Sequence, residues 1–436
     1  MTNSNDTIKF NKIESKKQRK LVLQFDQHNT IQVACTLPGR HITVEEGLNH
    51  FLTSAVWGKE VDNEWVWISE APELNRPPNE PNSMTYFKYL EKRLVGTPSD
   101  RAELKKKTCR FVYDEPGTRY KPFFDLYLQS LTYNRIDDSS HDEIDTPNYY
   151  NSNRNKLPPN TIPAGDPSNT SLYHLILPEF FDMIRRLQKE KRQFSIILRT
   201  MGIDSQNFLD TIRPIMEGKH RDFCDIEPIK INANIGHIKR DKNDQIILQM
   251  DGETFETEEK IYEKINSLEG INAIRDDFAY WQENNYECYS AKPLWINLND
   301  QNNHHIIFDD NIRLDSIDDC IVNIRLNNHY SQNEYINLDF GSYNLFKFSS
   351  ILQPNLIELL NPHLKNDSTK NYYYEMIKTA EKKYEILLQE RKKINFLKYE
   401  LDKKTIKDIE LNDSLKAKMK KEDTQKSLKS KLCFIV

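Results

Sequence analysis

The residues with the clearest chemical potential are carboxylates that follow apolar runs. Leu21-Val22-Leu23-Gln24-Phe25 ends in Asp26, with His28 and Thr30 at the alternate positions beyond it. Far downstream, His305-Ile306-Ile307-Phe308 ends in two adjacent acids, Asp309 and Asp310. Each run reads as a short buried strand with acids at its carboxyl end, where open α/β sheets place ligands. Carboxylate oxygens gathered from neighbouring strand ends suit a hard cation such as Mg²⁺. A cation held in that way suits phosphate chemistry.

Two further segments belong with these. The run Phe194-Ser195-Ile196-Ile197-Leu198-Arg199 ends in Thr200, and Lys292 precedes Pro293 and the apolar Leu294-Trp295-Ile296. Other polar features carry less. Arg199 reads as a structural ion pair rather than a phosphate ligand. His304 and His305 are adjacent in a strand, so they point to opposite faces and cannot readily share one ion. Gly58-Lys59 and Gly218-Lys219 lack the glycine spacing of a phosphate-binding loop.

These residues need elements to position them. Residues 1–18 read as a disordered lead-in, and a strand follows at 20–25. From 31 to 132 the apolar spacing is mainly helical, clearest at 44–55, 84–94 and 122–132. Trp57, Trp65 and Trp67 cluster there and read as core, with substrate stacking as the alternative. Residues 133–170, rich in Asn, Asp, Ser and Pro, read as a flexible linker. A helix is expected at 171–191, the strand at 194–199 and a helix at 204–217. A small β insert is expected at about 228–256, helical segments at 257–285, and strands at 293–298, 304–308 and 320–326. Alternation of this kind predicts a parallel α/β sheet.

In order along the chain, an Asp-x-His-x-Thr after a strand (Asp26, His28, Thr30), a strand-ending Thr200, Lys292 and the Asp309-Asp310 pair resemble the motifs of the haloacid dehalogenase (HAD) superfamily of phosphohydrolases. The resemblance covers about 20–30 and 190–326. It implies a Rossmann-like parallel sheet of HAD type spanning 19–30 and 171–345, with a mainly helical cap insert at 31–132, the small β insert, and a helical lysine-rich tail from 346 to 436. It also implies a Mg²⁺-dependent hydrolase of a small-molecule phosphate ester. Asp26 would be the nucleophile that forms an aspartyl-phosphate. Asp26, the backbone carbonyl of His28, and Asp309 or Asp310 would hold the metal. Thr200 would bond a phosphoryl oxygen, and Lys292 would pair with the phosphoryl group and the acids.

The departure is His28. The family's phosphatases have an Asp there, which protonates the leaving group and then activates water. Histidine can do general acid–base work, since its ring titrates at about pH 6.5 in water. Members without the second Asp run other chemistries or have lost activity. A catalytically weak binding protein of the same fold is therefore the alternative.

Composition bounds the rest. The chain has 436 residues with 37% hydrophobic and 29% charged, so part of the length is loop or solvated helix. Its net charge of −5 shows no basic excess for nucleic acid. The six cysteines form no CxxC pair, which argues against a thiolate zinc site and fits a reducing compartment. No apolar run reaches transmembrane length, so a soluble cytoplasmic protein is expected. The C-terminal Cys433-Phe434-Ile435-Val436 matches a prenylation pattern, beside seven lysines within residues 416–431. Lipid and polybasic stretch together would allow attachment to the cytoplasmic face of a membrane.

Overall fold

The computed structural model describes residues 18–34, 41–77, 79–96, 100–133, 157, 160–220, 223–241, 243–312, 320–327, 334–338, 343–363 and 371–390. The lead-in and the lysine-rich segment with Cys433 lie outside the described residues. Two units divide the chain, Met1–Glu381 and Lys382–Val436. The second is described only over 382–390, the last turns of the helix Tyr372–Gln389 and the residue after it.

Strand β1 (Lys20–Phe25) is buried in all but its first residue, as a strand covered on both faces must be. A helix at Val44–Ser54 follows, started by a capping box between Thr43 and Glu46 at 3.2 and 3.0 Å. Strands β2 (Trp57–Val61), β3 (Glu64–Trp67) and β4 (Met84–Thr85) form a small antiparallel sheet. The helix Tyr86–Leu94 packs on this sheet, and helices Arg101–Thr108 and Lys121–Ser130 follow, each packed against the Val44–Ser54 helix. Trp65 and Trp67 pack against Tyr86, and Trp67 also meets Tyr120 edge-on at 4.9 Å, so this cluster is core. An antiparallel pair, β5 (Thr161–Pro163) and β6 (Leu172–His174), returns the chain to the main sheet.

The second half alternates. Pro178 starts the helix Pro178–Lys189 at a position where a missing N–H costs nothing. There follow β7 (Phe194–Thr200), the helix Ser205–Met216, β8 (Ile231–Arg240), β9 (Ile246–Met250), β10 (Glu253–Phe255), the helix Glu258–Ser267 and β11 (Gly270–Arg275). Then come β12 (Lys292–Ile296), β13 (Asn303–Phe308), β14 (Val322–Asn327), β15 (Tyr335–Asn337) and β16 (Ile351–Leu352). Gly270 has φ of +67°, and a Cβ there would lie 2.2 Å from the Lys230 carbonyl oxygen, so only glycine fits.

The central sheet has eight strands in the order β10-β9-β8-β11-β7-β1-β13-β16. From β8 to β16 every pairing is parallel. The chain builds outward from β1 through β7 and β11 on one side, then crosses back to β13 and β16 on the other. The carboxyl ends of β1 and β13 therefore flank the point where the winding reverses, the crevice in which such sheets bind ligands. Alternation fills both faces: Leu21, Leu23 and Phe25 join one buried cluster with Ile196 and Leu198, while Val22 joins another with Ile197 and Ile274.

Several expectations need correcting. Residues 346–363 and 371–381 are not tail: β16 is an edge of the central sheet, and Leu356, Leu359 and Tyr373 are buried in its core. Residues 228–256 are not a separate insert, because β8 pairs in parallel with β11. The helix expected from 171 begins at Pro178, after β6. The helical reading of 257–285 contains β11, whose Ile271, Ala273 and Ile274 mimic helical spacing in so short a strand. The Lys292–Ile296 strand lies outside the central sheet, parallel to β14 in a second sheet with β15. The 31–132 insert shares one continuous core with the sheet and contains β2 to β4. Of the 133–170 segment, the described part after residue 160 includes β5.

Candidate active site

The register of β1 on β13 sets Phe25 opposite Phe308, so Asp26 and Asp309 leave the sheet side by side. Their preceding rings stack at 4.4 Å with planes 2° apart, and Tyr373 meets both edge-on at 5.8 Å. The Asp26 amide continues the ladder to the Phe308 carbonyl at 2.9 Å. Rigid packing beneath the strand ends thus fixes where the acids emerge. Carboxylate oxygens of Asp26, Asp309 and Asp310 lie within 4.8 Å of one another.

Lys292 closes the group from the second sheet. Its fully buried ammonium donates to Asp26 Oδ1 at 2.6 Å and Asp309 Oδ2 at 2.8 Å. Asp309 Oδ1 accepts from the Asn311 amide at 3.0 Å. Asn29 takes the left-handed φ of 55°, which asparagine tolerates, and its side-chain amide donates to Asp310 at 3.3 Å. Burial pushes the Asp310 carboxyl up to about 8, with Asp26 and Asp309 adding to the shift. Burial likewise lifts Asp26 to about 7, against the pull of Lys292. Burial disfavours the lysine's charge too, but Asp26, Asp309 and Asp276 outweigh it and hold the ammonium above the ordinary lysine value.

The balance of charge describes what the group lacks. With all three acids ionised, the one ammonium leaves an excess of negative charge that a divalent cation would neutralise, and the raised Asp26 and Asp310 carboxyls reflect burial and that crowding. All-oxygen donors at this spacing fit Mg²⁺, whose ligands sit roughly 2.0–2.1 Å from the ion. Asp26, Asp309 and Asp310 are the residues that would hold it.

His28 and Thr200 are arranged differently from expectation. The His28 ring is half-exposed, and its Nε2 lies 2.7 Å from Asp204 Oδ2. Its Nδ1 faces the Gln32 side-chain amide at 3.4 Å. The Thr200 hydroxyl donates to Asp204 Oδ1 at 3.0 Å and accepts from the Gly202 amide at 2.9 Å. Its proton is therefore committed to Asp204 rather than turned toward a phosphoryl oxygen. Asp204 occupies the N-cap position of the Ser205–Met216 helix yet makes no side-chain capping bond. Its carboxylate gives up a favourable cap, worth about 1 kcal/mol, to hold His28 and Thr200. Burial would raise the Asp204 carboxyl, but the His28 and Thr200 hydrogen bonds prevail and hold it below the usual range.

Arg199 is structural, as expected. It is wholly buried and donates to Asp276 at 2.9 Å, to Gln24 and to the Pro293 carbonyl at 3.2 Å. It therefore ties β1, β7 and the end of β11 to the residue beside Lys292. His304 and His305 part to opposite faces, bonding the Ser349 carbonyl and Asn266 respectively, each at 2.7 Å.

Asp204, Asn29 and Asp276 were not singled out from the sequence. Asp204 left one signal, an acid four residues beyond Thr200 at a helix start, which reads as an ordinary cap. Asn29 and Asp276 act through long-range contacts that no local pattern encodes. No family model, curated protein or solved structure matches the chain.

Proposed function

We propose that this protein is a Mg²⁺-dependent hydrolase of phosphate esters of the HAD kind, working through an aspartyl-phosphate on Asp26. The observation that carries the reading is the meeting of Asp26, Asp309, Asp310 and Lys292 at the carboxyl ends of two adjacent parallel strands where the winding reverses. Lys292 holds Oδ1 of Asp26, leaving the second carboxylate oxygen to attack phosphorus as the ester oxygen departs. Bound Mg²⁺ would neutralise the meeting of an anionic nucleophile with an anionic phosphate. Lys292 is placed to offset charge on the transferring group. His28 would give a proton to the leaving oxygen and later take one from water, with Gln32 yielding Nδ1. Asp204 acts as a positioning residue for the imidazole.

The test is phosphate release from a panel of phosphate esters, with Mg²⁺ and with chelator. Release that requires Mg²⁺ and disappears in Asp26→Asn supports the reading. Full activity in Asp26→Asn removes Asp26 from the reaction.

One observation favours a second reading. Both ring nitrogens of His28 and the Thr200 hydroxyl are engaged within the protein, the arrangement of a slow enzyme or of a protein that binds a phosphate compound without turning it over. Mg²⁺-dependent ligand binding without phosphate release across the panel would select it.

A further inference from the structure

We propose that Cys288 and Cys320 form a peroxide-responsive dithiol: a hydroperoxide oxidises Cys288 to a sulfenic acid, and Cys320 closes it to a disulfide. This chemistry is separate from the hydrolase reading, although the pair stands at the footing of Lys292.

Cys288 lies in the turn Cys288–Ser290 just ahead of β12, and Cys320 lies just ahead of β14. Parallel pairing of the two strands sets Lys292 opposite Val322, which brings the segments before them together. Both sulfurs address one carbonyl, that of Val322, Cys288 at 3.1 Å and Cys320 at 4.0 Å. Each thiol is also a side-chain hydrogen-bonding neighbour of the other. The Tyr343 hydroxyl completes the group, 3.2 Å from the Cys288 sulfur. Both cysteines are reduced. Beside Cys320, the Ile321 carbonyl accepts the Lys292 amide at 2.9 Å.

The two thiols are unequal. Cys288 keeps 7% of its surface exposed and Cys320 keeps 1%, so a small hydroperoxide meets Cys288 first. Hydrogen bonding with Cys320 holds the Cys288 thiol below the ordinary thiol value against its burial, and Tyr343 adds to the effect. The same partnership, with burial, pushes Cys320 well above that value. Cys288 is therefore the thiol that ionises, and Cys320 the one that keeps its proton. Thiolate character beside a second, resolving thiol is the pattern of a redox-sensing cysteine.

The Cys288 thiolate attacks a peroxide oxygen. The S–O bond forms as O–O breaks, and the departing oxygen takes a proton to leave as water or an alcohol. Cys320 then gives up its proton and attacks the Cys288 sulfur. The S–S bond forms as S–O breaks, and hydroxide leaves with that proton as water. With hydrogen peroxide the sum is a dithiol and one peroxide giving a disulfide and two waters. A dithiol reductant restores both thiols by exchange, as a reducing compartment would. The S–S bond, roughly 2.05 Å long, would draw the Cys288 sulfur from the Val322 carbonyl to Cys320, so oxidation acts on the first residues of β12.

The experiment treats the full chain with hydrogen peroxide, alkylates the remaining thiols in denaturant and maps the peptides by mass spectrometry. Wild type should yield a Cys288–Cys320 linked peptide that dithiothreitol reverses. The link should form at least about tenfold faster in the folded than in the urea-unfolded chain, where Cys288 loses its hydrogen-bonding neighbours. Cys320→Ser should leave Cys288 as a sulfenic acid that dimedone traps, and Cys288→Ser should leave Cys320 reduced. The wild-type map needs no variant, so a misfolded variant does not decide the result. Both thiols still alkylated, Cys288 carried to sulfinic acid without the link, or either cysteine linked elsewhere would overturn the proposal. Equal rates in folded and unfolded chains would also overturn it.

Discussion

Nε2 of His28 lies 2.7 Å from a carboxylate oxygen of Asp204, a residue 176 positions away in the chain. The contact joins the turn after β1 to the N-cap of the helix after β7. Thr200 braces the same carboxylate from its other oxygen. The histidine that departs from the resembled motif therefore comes with its own acidic partner, and that partner is withdrawn from helix capping to serve it.

Asp204→Asn keeps the shape of this contact and removes its charge. The amide can still meet the ring, but it no longer favours an imidazolium or fixes which nitrogen carries the proton. On the hydrolase reading kcat should fall toward the lower end of the roughly 10²–10⁴-fold scale of general acid–base catalysis. Mg²⁺ affinity should change little, because Asp204 is not among the three clustered acids. A pH–rate profile identical to wild type would assign Asp204 to structure alone.

Lys292→Met removes the one ammonium bonded to Asp26 and Asp309. Taking one partner from a buried ion pair costs about 3–5 kcal/mol, so the metal-free protein should unfold at markedly lower urea. Mg²⁺ should then stabilise the variant more than wild type, since the cation replaces the lost charge as well as filling its own place. Saturation to 100 times Kd is worth about 2.7 kcal/mol by mass action alone. Urea midpoints with Mg²⁺ and with chelator measure this. Equal metal-induced shifts in the two proteins would dissociate Lys292 from the cation site.

Much of this arrangement is legible in the sequence, because strand ends are. The runs before Asp26, Thr200 and Asp309 are mainly apolar, broken only by Gln24, by Ser195 and Arg199, and by His304 and His305, and runs of that kind read as buried strands of a parallel sheet. What the sequence hides is partnership across distance. Nothing near residue 292 says that its strand leaves the central sheet, and nothing near Asp204 distinguishes a cap from a histidine partner. The tail boundary failed for a similar reason. Ile351-Leu352 is too short to announce itself as a strand, yet two residues suffice to add an edge beside β13.

His305 makes acid stability testable. Its ring stacks on Tyr262 at 4.9 Å, Nε2 contacts Asn266 Oδ1 at 2.7 Å, and Nδ1 faces the Gln24 amide at 3.5 Å. The neutral ring with its proton on Nε2 suits both neighbours, whereas a second proton would confront the Gln24 amide. Burial lowers the His305 pKa to about 3. Because the folded value is depressed, the unfolded chain binds the proton first, and stability declines as pH falls from about 6.5 toward 3. By pH 5 the loss approaches about 2 kcal/mol. His305→Gln should unfold more easily at pH 7.5 but lose less between pH 7.5 and 5 than wild type. Equal losses measured by urea denaturation would exclude His305 as a source of the slope.

The sharpest test lies in restoring the resembled motif. His28→Asp would supply the carboxyl that phosphatases of the HAD superfamily carry at this place, but it would set that carboxyl against Asp204. Two carboxylates in one partly buried site repel, and one of them must hold a proton or turn away. The single variant should therefore be slow, whatever the merit of aspartate as a catalyst. Adding Asp204→Asn relieves the repulsion and leaves an amide that can donate to the new carboxylate. Mg²⁺-dependent phosphate release should then rank the double variant above both single ones, a coupling that simple additivity forbids. If the two substitutions add independently, His28 and Asp204 do not act as a unit, and the histidine's role in proton transfer must be given up.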